Sequence, residues 1–362
     1  MSVKESYDKF TVLIPSYNRP EHLRRILSYY ESFGVRVIVA DGSDEVFPYT
    51  SDFGKRIEYR HFPSCEDPNK RFYEAANSIF TPYVCFCADD DFAVPDTINK
   101  IVDYLEKNPD YNCGLGIINY YSFKNEDIYH FRPYYYSIGK NLSEALPRAR
   151  VMHYMTNYFQ NVWNVQRTDT FKKIFASLFT HKDMTMRNGS LNEIYIALYL
   201  AIEGKCIILP LLYSAREIAP PYVKRIAVGM ESIISKIKYR QKYNKFLNLL
   251  SMHLSKTENI SMYEARCIII EAVRRYIFVE KPASVSFKYK IKHTIELFKH
   301  KLKIVLEKNG PSRLVLLYRS IFGIIGINRS NVEDVYPLSL QDIEHWDKIK
   351  AYILKYKHIY DK

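Results

Sequence analysis

Three consecutive carboxylates, Asp89, Asp90 and Asp91, stand directly behind a five-residue apolar run, Tyr83 to Cys87. Adjacent like charges repel one another, and a fold tolerates them most easily when a cation sits among them. A solvated acidic turn is the plain alternative, but such turns are seldom fed by so apolar a strand. A second acid, Asp41, opens Asp41-Gly42-Ser43 after another apolar run, Val35 to Ala40. A carboxylate there can accept a hydrogen bond from N3–H of uracil or thymine while the triple acid holds a divalent metal against a diphosphate. Asp41 is equally a residue type that forms turns. Lys70 and Arg71 either add positive charge beside the same phosphates or are solvated residues at a helix start. Glu193 lies in the first turn of an apolar helical stretch, 190–204, where the helix dipole favours an acid.

Those acids need elements to position them. Phe10 to Pro15 reads as a buried strand and is followed by a polar loop, Ser16 to Arg19. Pro20 then opens a helix that carries Leu23, Ile26, Leu27 and Tyr30 on one face and stops at Gly34. The strand at Val35 to Ala40 follows at once, which is the spacing of a right-handed parallel βαβ unit. Further strands are expected at 57–62, 83–87, 114–121, around Trp163-Asn164-Val165-Gln166-Arg167 and at 206–214. Helices are expected at 69–79, 95–105 and 190–204. Trp163 reads as core. The pattern is α/β, and it places Asp41 and Asp89 to Asp91 at strand C-terminal ends on one edge of one sheet, facing a single crevice.

The 362 residues suggest two domains, and 47% hydrophobic content is ample for their cores. Tyrosine is abundant (32) and glycine scarce (12), which points to aromatic-lined surfaces and against long flexible linkers. Six cysteines (Cys65, Cys85, Cys87, Cys113, Cys206, Cys267) form no CxxC pair and read as reduced and structural. The formal charge of +12 calls for an anionic partner. No nucleic-acid module is visible, so DNA or RNA is a poor candidate. The N-terminus has no apolar leader segment, and the longest apolar stretch, 314–327, is interrupted by Arg319. A cytoplasmic protein, peripheral to a membrane at most, is the expectation.

Taken in order, TVLIPSYNRPEHLRRIL, VIVADGSDE and FYEAANSIFTPYVCFCADDDFAVP resemble the start of a GT-A glycosyltransferase of the family 2 type. The resemblance runs from about Phe10 to Pro220. It implies a GT-A, Rossmann-like, mostly parallel sheet flanked by helices, with Mn2+ or Mg2+ as cofactor and a nucleotide-sugar, UDP-linked by preference, as donor. It places Pro15 and Tyr17 against the nucleotide, Asp41 on the base, Arg71 near base or phosphates, Asp89 on the ribose and Asp90 on the metal, with Asp91 as a further metal ligand. Many relatives read LDADD, and counting back from Pro95 puts Ala88 at that motif's first acid. The stretch NEIYIALYLAIEGKCIILPLLYSAR is similar to the family's ED-x-x-L-x-x-R-L-x-x-x-G segment, which implies Glu193 as general base of an inverting reaction and Arg216 at the diphosphate.

Beyond 220 the character changes to long helical patterns, expected at 226–250, 261–278, 287–307 and 340–355. The organisation expected is therefore a catalytic domain over 1–220 and a mainly helical, basic C-terminal domain over 221–362. Residues 281–329 hold eleven Lys or Arg against two Glu, with an apolar stripe at helical spacing, which suits either packing on the catalytic domain or docking on an anionic bilayer that carries a lipid-linked acceptor. The aromatic stretch around Arg132 and Tyr134 to Tyr136 suits either an acceptor-glycan surface or packing under a loop. Two rivals remain at this level. A sugar-phosphate nucleotidyltransferase would require a Gly-rich phosphate loop after the first strand, and IPSYNRP has none. A non-catalytic membrane-docked scaffold would not need acids at 41, 89, 90 and 193.

Overall fold

The computed structural model describes residues 7–63, 67–124, 127–131, 141–186, 190–218, 228–280 and 339–360. β1 (Phe10–Ser16), β2 (Arg36–Asp41), β3 (Ile57–His61) and β4 (Tyr83–Phe86) pair in parallel in the spatial order β3-β2-β1-β4. The centres of β1, β2 and β4 are aliphatic or aromatic and buried, as continuous apolar runs in a two-sided sheet require, whereas β3 at the sheet's edge is partly exposed. The sheet continues through β8 (Val165–Arg167), β6 (Tyr111–Lys124), β9 (Lys205–Glu217) and β5 (Phe92–Ala93), with β7 (Asp127–Phe131) attached to β6. In this second half only β6 and β9 run parallel, and the remaining pairings are antiparallel. The expected α/β sheet flanked by helices is thus present, purely parallel in its first half and mixed in its second.

The helix after β1, α1 (Pro20–Phe33), buries Leu23, Ile26, Leu27, Tyr29 and Tyr30 against the sheet. It ends where Gly34 takes a left-handed conformation, φ 69°, and donates its N–H to Glu31 O at 2.9 Å. α2 (Pro68–Asn77) is capped by Asp67, whose side chain accepts from Asn69 N, and α3 (Pro95–Lys107) again opens on proline. α4 (Pro147–Thr156) and α5 (Thr168–Thr180) are additional to the expected helices, although α5 buries Phe171, Ile174, Phe175 and Leu178 at helical spacing; α6 (Ser190–Glu203) lies where it was expected. Lys236, with extended backbone, splits the stretch expected as one helix over 226–250 into α7 (Met230–Ser235) and α8 (Arg240–Glu258). α9 (Met262–Glu280) and α10 (Leu340–Lys355) follow the expected positions.

Contacts divide the chain into one unit of residues 1–275 with 338–362 and another of 276–337. A boundary at 220 was expected instead. The difference arises because α8 packs on α6, while α10 packs on α1 and β9 and its Asp342 accepts Leu212 N–H at 2.9 Å. The 287–307 helix, the basic 281–329 segment and the aromatic stretch 132–136 lie outside the described residues. Among the described residues no helix is long and apolar enough to cross a membrane. Cys85, Cys87, Cys113 and Cys206 are free and buried, whereas Cys267 is free and exposed.

Candidate functional site

The C-terminal ends of β1, β2 and β4 meet at Ser16. Parallel pairing sets Ser16 opposite Asp41. Its carbonyl accepts Gly42 N–H at 3.0 Å and Arg71 Nη1 at 3.2 Å, while its hydroxyl donates to Asp89 Oδ2 at 3.0 Å. One small residue thereby ties the Asp41 loop, α2 and the acidic turn together. The guanidinium of Arg71 lies so close to Gly42 that a Cβ there would stand 1.5 Å from Nη1, so any side chain after Asp41 would have to push the guanidinium aside.

Asp41 is buried and surrounded by donors. Oδ1 accepts Ser43 N–H at 3.0 Å and Ser43 Oγ–H at 2.5 Å, and Oδ2 accepts the Tyr59 hydroxyl at 2.8 Å. Burial and the Asp41 carboxylate both hold the Tyr59 hydroxyl in its protonated form. Pro15 is half-buried opposite Ala40, and Tyr17 is exposed beside it at the strand's end. Pro15, Tyr17, Asp41, Arg71 and Asp89 are therefore brought to one edge of the sheet.

The three acids of the turn are not equivalent. Asp89 is buried, and burial with the neighbouring Asp90 charge pushes its carboxyl up to about 6 against the opposing pull of Arg19. Asp90 keeps 22% of its side chain exposed. Arg19 Nη1 spans the two, hydrogen-bonded to Asp90 Oδ2 and 3.4 Å from Asp89 Oδ1. Asp91 faces elsewhere, contrary to the expectation of a second metal ligand: Oδ2 accepts Arg216 Nε at 2.9 Å and Oδ1 accepts Glu217 N–H at 3.1 Å. The reason is topological. Phe92 and Ala93 pair with Ala215 and Ser214 of β9, so the residue before Phe92 faces the residue after Ala215.

Arg216 is consequently committed too. It is buried, paired with Asp91, hydrogen-bonded through Nη1 to Gln160 Oε1 and set over the Trp163 ring at 5.6 Å. Its expected place at the diphosphate gives way to a structural ion pair, in which burial raises the Asp91 carboxyl against the Arg216 charge. The same loop reaches Glu193. Tyr158 OH donates to Glu193 Oε1 at 2.6 Å, and Asn192 Oδ1 accepts Met186 N–H at 3.0 Å, fixing the start of α6. Residues 158–160 thus link the half-exposed Glu193 to the acidic turn through Arg216.

Below the turn lies a network that pattern reading had not singled out. Arg25 donates through Nη2 to the Asp90 carbonyl at 3.0 Å and to Glu217 Oε2 at 2.9 Å, and through Nη1 to Tyr360 OH at 2.5 Å. Tyr121 OH donates to the same Glu217 oxygen at 3.1 Å. The backbone of Asp90 is held from beneath while its side chain faces solvent. Ser16, Arg19, Arg25, Tyr158 and Gln160 were the residues missed; of these only Ser16 and Arg19 carry a sequence signal, their place in the IPSYNRP loop.

The acid pair suits a cation: two adjacent carboxylates, one raised by burial, already hold a guanidinium between them. Among the described residues no group of three or more His, Cys, Asp or Glu converges on a metal-sized site. A divalent ion here would therefore take one or two carboxylates from the protein, Asp90 first, and complete its shell from phosphate oxygens and water.

Residues 11–164 match the sequence model of Glycosyl transferase family 2. A curated relative, glycosyltransferase GlyA of Streptococcus pneumoniae serotype 4, is 27% identical over 187 residues, 47% of this chain and 24% of that protein. The matched stretch thus spans about a quarter of that relative's length. Among solved structures, S. aureus TarS 1-349 superposes with a TM-score of 0.47 at 12% identity, covering 79% of this chain and 77% of that one. The same fragment in complex with UDP-GlcNAc gives a TM-score of 0.47 at 13% identity over the same shares.

Proposed function

We propose that this chain, whose residues 11–164 match the family 2 glycosyltransferase model, is a metal-dependent glycosyltransferase. It moves a sugar from a nucleoside diphosphate donor, with uridine diphosphate preferred, to a glycan or lipid-linked acceptor. The reading is carried by one observation: Ser16 gathers Asp41, Arg71 and Asp89 at a single sheet edge, with Asp90 presented beside them.

Each residue then has a task. Asp41, held by Ser43 and Tyr59, keeps a fixed anionic acceptor for a base N–H, which uracil offers at N3. Arg71 lends its charge near base or phosphates, Pro15 and Tyr17 flank the nucleotide, and Asp89 serves the ribose. Mn2+ or Mg2+ at Asp90 would supply Lewis-acid neutralisation of the departing diphosphate. Glu193, oriented by Tyr158, takes the proton of the acceptor hydroxyl. The freed oxygen attacks the anomeric carbon as the bond to the diphosphate breaks on the opposite face, inverting the centre. A basic C-terminal region that meets an anionic membrane extends the same reading.

Calorimetric titration of uridine, thymidine, guanosine and cytidine diphosphates with Mn2+ tests it. We expect tight, metal-dependent binding of one nucleotide by the wild type and its loss in Asp90→Ala. No binding of any nucleotide by the wild type overturns the reading.

A further inference from the structure

Arg19 has no role in the reaction as described, yet the β1–α1 loop is built to aim it. Asn18 adopts a left-handed backbone, φ 54°, which an asparagine tolerates only at some cost. That conformation is held from both sides. Asn18 N–H donates to Ser43 Oγ at 2.8 Å, its side-chain amide donates to Asp44 Oδ2 at 2.7 Å, and Asp44 N–H donates to Asn18 Oδ1 at 3.0 Å. Pro20 then bars Arg19 from the helical conformation. The outcome is a guanidinium on Asp90 and Asp89, 30% exposed and hydrogen-bonded to no other side chain among the described residues. Arg216 and Arg25 differ, since both are locked into buried networks.

We propose that Arg19 is the resident counter-cation of the Asp89–Asp90 pair and couples divalent-metal binding to diphosphate binding: a metal reaching Asp90 displaces the guanidinium, which then takes the diphosphate. The inference rests on the metal-dependent reading above. Two cations compete for one carboxylate, so the metal binds against Arg19. The planar fork that fits a carboxylate also fits a phosphate, so the displaced side chain meets a second anion in the same crevice. Because the diphosphate offers Arg19 an alternative partner, it relieves the competition, and by linkage metal and nucleotide strengthen each other.

The test is Mn2+ titration without nucleotide, read by electron paramagnetic resonance of the free ion, on wild type, Arg19→Gln, Arg19→Lys and Asp90→Asn. Circular dichroism of each variant verifies folding. Arg19→Gln is expected to bind Mn2+ about 5- to 150-fold more tightly than wild type, the range of ordinary coupling energies, and to bind uridine diphosphate more weakly at saturating Mn2+. Arg19→Lys keeps the charge and is expected to stay closer to wild type on metal alone while losing diphosphate affinity with the fork. Should Arg19→Gln bind the ion no better than wild type while Asp90→Asn abolishes binding, the coupling role is overturned and the metal site stands. Should Mn2+ binding survive in Asp90→Asn, the metal reading itself fails and takes this inference with it.

Discussion

Two arginines six residues apart pair with carboxylates on opposite sides of the same turn, and they do different work. Arg25 is wholly buried beneath the turn and meets Glu217, Tyr360 and the Asp90 carbonyl. Arg19, above it, keeps 30% of its surface in solvent and holds the Asp89 and Asp90 side chains. A charge pair wholly buried can only hold structure, because moving either ion leaves the other uncompensated in a low dielectric. An exposed pair is cheap to separate, since water takes over when the partner leaves. The turn is thus a rigid floor under a changeable surface, and that division lets Asp90 exchange partners without moving its backbone.

The most direct way to break the comparison is to remove each arginine in turn. Arg25→Met is expected to cost about 3–5 kcal/mol by stranding Glu217, whereas Arg19→Gln should change stability by less than about 1 kcal/mol. Urea unfolding of both variants checks it, and equal losses would erase the distinction. The floor should also show in acid. Burial raises the Glu217 carboxyl, but His22 and the Arg25 charge outweigh burial and hold it near 2. A carboxyl depressed in the folded state contributes stability that is complete above its unfolded value and is lost as pH falls through 4.5 toward 2. That loss amounts to roughly 3 kcal/mol, and Glu217→Gln should flatten this limb of a stability profile taken by denaturant melts between pH 2 and 6.

The smallest effect sharpens the upper side. Gly42→Ala forces Arg71 off Ser16, because the added methyl overlaps Nη1. A cost of about 1–2 kcal/mol in stability is expected, with a larger proportional loss in nucleotide diphosphate affinity by calorimetry. Unchanged affinity would remove Arg71 from the nucleotide site.

The residues that carry the apolar alternation and its punctuation were decisive by themselves. Buried runs at 10–15, 35–40 and 83–87, with Pro20 and Gly34 bounding a helix, dictate parallel strands and put their acids at one edge, since strand direction and side-chain burial follow from local pattern. The motif order likewise marked Asp41 and the Asp89 to Asp91 turn. What the pattern could not assign was which acid would face which partner. Asp91 and Arg216 lie 125 positions apart, and only the antiparallel match of β5 with β9 turns two expected ligand contacts into a buried ion pair. Tyr360 beneath Asp90 and α10 against β9 depend equally on contacts between chain ends, which no local periodicity encodes. Local sequence fixes backbone preference and burial over a few residues; the pairing of distant charges is set when the sheet closes, and there the difference between holding structure and binding ligand was decided.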